Sequence, residues 1–413
     1  MSRPFSPDAP SLPISNPLSS GGLGIAAFAL RKVLAAMDRG RLIFVLPDGT
    51  NVDCRGRSPG PEATLVIHKM RALRRLLFSG DVAFSEAYVQ GEWSSPDLSA
   101  VIELAALNGD SFMRAIEGFA PARFVNWLTH RLRSNSRSGS RRNISFHYDL
   151  GNRFYGLWLD PMMYYSSGIY RTGAETLEEA QKNKVDRVLD VLDARNGERV
   201  LEIGCGWGGL AVALAHGGAG RVEGVTLSRE QLAHARALVS GHALDSRIDL
   251  RLEDYRDIRG KFDRIVSLEM IEAVGREYWP VYFDTLRDRL SDDGHVVLQA
   301  ITIEDARFEK YLTTPDFIQR YIFPGGTLPC PAALRAEAER AGLRLETVET
   351  FGDGYARTVA DWRMRFNDNW PQIEAMGFDS SFRRLWDYYL CYCEGGFRAG
   401  AIDVGIYKLT HAR

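Results

Sequence analysis

The stretch Val200-Leu201-Glu202-Ile203-Gly204-Cys205-Gly206-Trp207-Gly208-Gly209 decides how the rest of the chain is read. An apolar run carrying one acid ends abruptly in a glycine-rich turn. Leu210-Ala-Val-Ala-Leu-Ala215 follows at once and reads as helix. Strand, tight turn and helix in that order make the first βα unit of a Rossmann-like sheet, whose ligand lies beyond the strand's carboxyl end. Glycines in such a turn take positive φ and let a ligand approach the backbone closely. The spacing is G-x-G-x-G; neither the G-x-G-x-x-G of dinucleotide sites nor a G-x-x-x-x-G-K-[ST] phosphate cradle is present.

From Arg199 onward the pattern alternates strand and helix. Strands are predicted at 199–203, 221–226, 248–252, 262–268 and 294–301, with helices between them, one over 277–290. Late strands at 344–349 and 402–409 predict an antiparallel hairpin closing the sheet, and the aromatic helical run 362–397 between them is an insertion of the kind that shapes a substrate pocket. Upstream, 42–46 and 51–53 flank Pro47-Asp48-Gly49 as a β-hairpin, and 64–68 continues a small sheet. Residues 25–37, 72–77 and 85–89 read as helices. The expected fold class is α/β: a Rossmann-like sheet with a helical insertion, preceded by a smaller α+β domain. The expected boundaries are a disordered tail at 1–20, an accessory domain at 21–120, an arginine-rich linker or helix at 121–142, and the Rossmann-like domain at 143–413.

A chain of 413 residues is long for one domain, and 45% apolar with 25% charged residues is ordinary for a globular protein. A net charge of −2 excludes a strongly basic nucleic-acid binder. Five scattered cysteines argue for reduced thiols and a cytoplasmic setting, and neither they nor the histidines show metal-site spacing. No apolar run is long enough to span a membrane. Between Ala122 and Asn143, six arginines occur without one acid, and Phe124, Trp127, Leu128 and Leu132 fall at helical spacing among them. That pattern suggests contact with an anionic lipid surface; a solvated linker helix is the plainer reading.

Glu202-x-Gly204-x-Gly206 at this place resembles motif I of the class I S-adenosylmethionine-dependent methyltransferases. Strand ends then nominate a cofactor cradle: Glu202, Gly204, Cys205, Gly206, Trp207 and Gly208 after the first strand. After the second, Thr226 and Gln231 stand where an acid usually meets the ribose hydroxyls, although Ser228-x-x-Gln231 also reads as a helix capping box. Asp254 and Tyr255 after the third strand are expected at the adenine amine and ring face, and Glu272 and Gln299 at the catalytic rim.

Ordered motifs extend the likeness. HYDLGN at 147–152, YYSS at 164–167, LEIGCGWGG at 201–209, TLSREQ at 226–231, EMIEAVG at 269–275, YIFPGGTLP at 321–329, FGDGYA at 351–356 and YCEGGFR at 392–398 together resemble the cyclopropane fatty acid synthase family, including the mycolic acid cyclopropane synthases. The resemblance implies transfer of a methyl group from S-adenosyl-L-methionine to the cis double bond of unsaturated acyl chains in membrane phospholipids, with cyclopropane formation as the expected outcome. It adds Tyr165 and Ser166 to the cofactor contacts. It also implies a bicarbonate base held by Ser167, Glu272, Gln299, the Ile301 backbone and Tyr355. Ser167 and Gln299 depart from the cysteine and histidine usual in the family. Cys393 matches a cysteine once proposed as catalytic there, and a pocket role suits it better. The accessory domain is read as lipid-binding, the enzyme as peripheral on the inner face of the membrane, and a homodimer is expected.

A carbocation formed in a dry pocket needs aromatic faces that stabilise it without quenching it. Tyr165, Tyr311, Phe317, Tyr321, Tyr355, Trp362 and Phe366 are the candidates. Alternatives are a methylene- or methyl-branched product from the same substrate, a small-molecule or RNA methyltransferase, and a non-catalytic lipid-binding protein.

Overall fold

The computed structural model describes residues 31–116, 150–314 and 316–412. The expected tail at 1–20, the arginine-rich stretch at 121–142 and the His147, Tyr148 and Asp149 part of the first motif lie outside these residues.

Seven strands form the larger sheet in the order β10-β11-β9-β8-β5-β6-β7. They are β5 (Arg199–Ile203), β6 (Arg221–Thr226), β7 (Ile248–Leu252), β8 (Phe262–Leu268), β9 (Leu290–Ile303), β10 (Leu343–Thr350) and β11 (Ile402–His411). β5 pairs in parallel with both β6 and β8, so the strand order reverses beside it and opens a crevice at its carboxyl end. β11 runs antiparallel to β9 and β10, as the late-hairpin expectation required. β9 begins at Leu290 rather than 294 because that residue pairs with Phe262 of β8, and it runs on to Ile303 because Thr302 and Ile303 pair with β11. Apolar clusters cover both faces of this sheet.

The smaller sheet has the order β2-β1-β3-β4. β1 (Arg39–Val45) and β2 (Asn51–Arg55) form the expected hairpin, while β3 (Ser58–Ile67) lies parallel to β1. β4 (Trp93–Ser94) completes it. The two helices expected at 72–77 and 85–89 belong to one stretch, Arg71–Val89, broken at Gly80, whose φ of 80° and ψ of −170° no helix accommodates.

The insertion folds as three helices, Gly352–Asp368, Trp370–Glu374 and Ser380–Arg398. The last packs on the helix Leu98–Leu107 of the first unit. A Cβ at Gly395 would lie 2.7 Å from Ile102 Cβ and 2.8 Å from the Glu103 amide nitrogen, so only glycine permits the approach. Beside that contact, Ser99 Oγ donates to Glu394 at 2.5 Å and Tyr88 donates to Asp387 at 2.9 Å. Arg384 reaches the Tyr88 and Trp93 carbonyls at 2.6 and 2.9 Å. One continuous apolar cluster runs from Phe44 and Leu65 through Trp93 to Trp362, Trp386 and Leu390, joining the two units into one core.

Candidate active site

The glycine turn builds the first wall. Gly204, Gly206 and Gly208 have φ of 86°, 51° and 89°, the left-handed region that side chains disfavour. Gly208 backs onto Ala235, where a Cβ would meet another at 2.9 Å, whereas a Cβ at Gly206 would point into open space. Glu202, Gly204, Cys205, Gly206 and Trp207 all line the adjoining cavity. Trp207 donates from its indole to Asn152 Oδ1 at 2.7 Å, which ties the Leu150-Gly151-Asn152 end of the first motif to the turn. Burial pushes the Glu202 carboxyl up to about 8, against the pull of Lys184.

At the second strand end, Thr226 and Gln231 line the same cavity but bond to each other, Oγ1 to Oε1 at 3.0 Å. Ser228 Oγ caps the following helix by accepting from the Gln231 amide at 3.2 Å. The capping expectation is met by Ser228 alone, and the Gln231 side chain is turned to Thr226 at the rim. Tyr255 lines the cavity with its ring against Tyr282 at 5.5 Å. Asp254 requires a correction. Its two oxygens are held by the Arg256 guanidinium at 2.8 and 2.6 Å, and the cavity wall beside Tyr255 is Glu253 instead. An acid two residues before an arginine in a 3₁₀ turn finds its partner locally.

Tyr165 and Ser166 also face the cavity. The Tyr165 hydroxyl meets that of Tyr389 at 2.7 Å, and its ring lies 5.3 Å from that of Trp362. Ser166 Oγ accepts from Lys184 Nζ at 3.0 Å. Lys184 is fully buried, with its ammonium 4.1 Å from the Tyr164 ring centre, and burial lowers it to about 8.

Ser167, Gln299, Tyr355 and the Ile301 backbone converge as expected, and what they hold is protein. The Ser167 amide donates to Glu269 Oε1 at 2.9 Å, the Gln299 amide to the same oxygen at 2.6 Å, and the Tyr355 hydroxyl to Oε2 at 2.5 Å. The Ser167 hydroxyl is turned away onto the Gly168 carbonyl at 3.0 Å. The Ile301 amide donates to Glu272 Oε1 at 2.5 Å. Bicarbonate is therefore not supported, because a side-chain carboxylate occupies the donors it was expected to use. Burial and the charge of Glu269 push Glu272 up to about 8. Burial likewise keeps the Cys393 thiol protonated, so it is a pocket wall and no nucleophile.

Of the seven aromatic candidates, Tyr165, Tyr311, Tyr355 and Trp362 line the cavity. Phe317, Tyr321 and Phe366 do not: Phe317 packs on Tyr388 at 4.7 Å, Tyr321 bonds Glu86, and Phe366 packs on Trp370 at 5.8 Å. Sequence reasoning missed Glu269, Lys184 and Tyr389. For Glu269 the signal was present, since it directly follows β8 at a strand end.

Order reversal beside β5, the glycine turn and the acid before it define the class I S-adenosylmethionine-dependent methyltransferases, and the chain is one of them. S-adenosylmethionine fits the residues present: Gly206 faces open space, and the buried Glu202 Oε2 has no hydrogen-bond partner. A family model described as mycolic acid cyclopropane synthetase matches residues 135–406, and the chain belongs to that family. It is 38% identical over 401 residues to a tuberculostearic acid methyltransferase of Mycobacterium tuberculosis, covering 94% of this chain and 91% of that one. It is 33% identical to a cyclopropane-fatty-acyl-phospholipid synthase of Escherichia coli, covering 82% and 85% respectively. A crystal structure of a mycolic acid cyclopropane synthase complexed with SAH and CTAB superposes with a TM-score of 0.61 at 29% identity, covering 65% of this chain and 97% of that one.

Proposed function

We propose that this enzyme methylates the cis double bond of unsaturated acyl chains in membrane phospholipids and closes a cyclopropane ring. The observation that carries this reading is one cavity of about 840 Å³ running from the glycine turn, past Trp362 and Tyr389, to Leu42, Phe44 and Leu65 of the small sheet. A long apolar chain fits such a space, and the near-neutral charge and apolar lining disfavour a nucleic-acid substrate.

S-adenosylmethionine, held by the β5 turn and the rims of β6 and β7, supplies an electrophilic methyl group. The acyl chain's π pair would bond that methyl as the sulfonium–carbon bond breaks and S-adenosylhomocysteine leaves, placing positive charge on the neighbouring chain carbon. Tyr165, Tyr355 and Trp362 offer aromatic faces to the cation while the apolar walls exclude the water that would trap it. Loss of a proton from the new methyl closes the ring. Among the described residues no helix is long and apolar enough to cross a membrane, and on this reading the acyl chain is drawn from the bilayer surface into the cavity. The accessory unit and the arginine-rich stretch at 121–142 suit that role.

The 38% identity to a tuberculostearic acid methyltransferase favours a second outcome, a methylene or methyl branch. Mass spectrometry of lipids from cells expressing the chain tests both. A gain of one CH₂ with the olefin lost to derivatisation is expected for the ring, a methylene branch keeps an olefin, and unmodified lipids would refute the proposal.

A further inference from the structure

Glu269 has φ of +49°, a conformation rare for any residue with a Cβ. The fold holds it there with three donors from three separate segments: the Ser167 amide, Gln299 on β9 and Tyr355 on the helix Gly352–Asp368. Its own amide donates to the Gln299 backbone carbonyl at 2.8 Å. Burial raises the Glu269 carboxyl above its ordinary value, and all three donors pull it back toward the ionised form. Among the described residues no salt bridge reaches this carboxylate, and the nearby Lys184 spends its ammonium on Ser166. A carboxylate held by three donors, with no contact cation among the described residues, thus stands in the wall of a cavity that also holds the glycine turn.

We propose that Glu269 is the catalytic base, taking the proton from the newly added methyl group of the acyl chain. This rests on the acyl-methylation reading above. The C–H electron pair becomes the C–C bond that closes the ring, the proton passes to a Glu269 oxygen, and the chain cation and the carboxylate charge cancel. Glu272, three residues on, bonds the Ile301 amide and faces a like charge from Glu269, so it is the neutral member of the pair. The protein therefore carries its own anion and needs none from solution.

The test uses the full-length chain with S-adenosylmethionine and vesicles of dioleoyl phosphatidylglycerol in carbonate-free buffer. Wild type is expected to turn over equally with and without added bicarbonate. Glu269→Gln is expected to lose about 10²-fold or more in turnover, the scale of a positioned base, with cofactor affinity by calorimetry unchanged. Glu269→Gly relieves the backbone and leaves the three donors facing a gap, so added formate or bicarbonate is expected to restore its activity saturably, and to leave Glu269→Gln unchanged. A merely structural carboxylate would show no such rescue. Near-normal turnover of Glu269→Gln, absence of rescue in a folded Glu269→Gly protein, or a bicarbonate requirement of wild type would each overturn the assignment while the acyl reading stands. Failure of wild type to methylate any cis-unsaturated vesicle would overturn both.

Discussion

Glu202, Glu269 and Glu272 crowd one end of the cavity, and their protonation ties stability to pH. Glu202 and Glu272 are pushed up to about 8 from an ordinary value of 4.5. The folded chain therefore binds more protons than the unfolded one between those values, and stability falls as pH rises through that interval. His295 acts oppositely, lowered by burial to about 4 from 6.5, so it offsets the trend below pH 6.5. The net prediction is that urea-unfolding stability of the cofactor-free chain declines from pH 6.5 to 8, by at most about 1.4 kcal/mol per pH unit per group. Glu272→Gln should flatten the decline, and a slope unchanged by that substitution would refute the assignment. The sequence reading singled out Glu272 in this motif and passed over Glu269, the member that meets the Ser167, Gln299 and Tyr355 donors. EMIEAVG at 269–275 offers two carboxylates, and only the backbone turn at Glu269, which residue type disfavours, decides which one meets the donors.

Whole elements were far more legible. β5, β6, β7 and β8 match the sequence expectation residue for residue, because each is a short apolar run cut off by turn residues. β9 was read short at its start because Leu290 pairs with Phe262 of β8 across polar residues 291–293, and at its end because Thr302 and Ile303 pair with β11, about a hundred residues on. Helix against helix was not legible at all. Gly395 in YCEGGFR looks like a helix-weakening residue, yet it is where Ser380–Arg398 touches Leu98–Leu107. Gly395→Ala gains up to about 1 kcal/mol of helix propensity. The clash with Ile102 and the Glu103 backbone should cost more, about 1–3 kcal/mol as for other overpacked sites. Calorimetry is expected to show a lower melting temperature, whereas Gly400→Ala serves poorly as a control because its φ is +66°. Gly241, with open space at its Cβ and no positive φ, is the proper control and should tolerate alanine.

Across the whole molecule the two units share a core and a cavity, so the small sheet is more than an attachment. Deleting residues 1–142 would bare Tyr388, Leu390 and Cys391, take the Tyr88 donor from Asp387, which keeps Arg363, and remove both carbonyl acceptors of Arg384. It would also remove the Leu42, Phe44 and Leu65 end of the cavity. The truncated chain is expected to melt at lower temperature, to aggregate more readily and to lose vesicle methylation while retaining some affinity for S-adenosylmethionine. A soluble truncated chain with unchanged melting and activity would show the units to be independent. Four of the seven aromatic residues nominated from sequence line the cavity, since residue type alone does not say which side of a helix faces inward.

The strained backbone at Glu269 has a genetic corollary. Glutamate and glycine codons differ only at the middle nucleotide, GAA or GAG against GGA or GGG. A single transition would relax the main chain and, if Glu269 is the base as proposed, exchange a built-in base for one borrowed from dissolved carbonate. On that reading, one nucleotide decides whether the lipid chemistry of this chain answers to carbon dioxide.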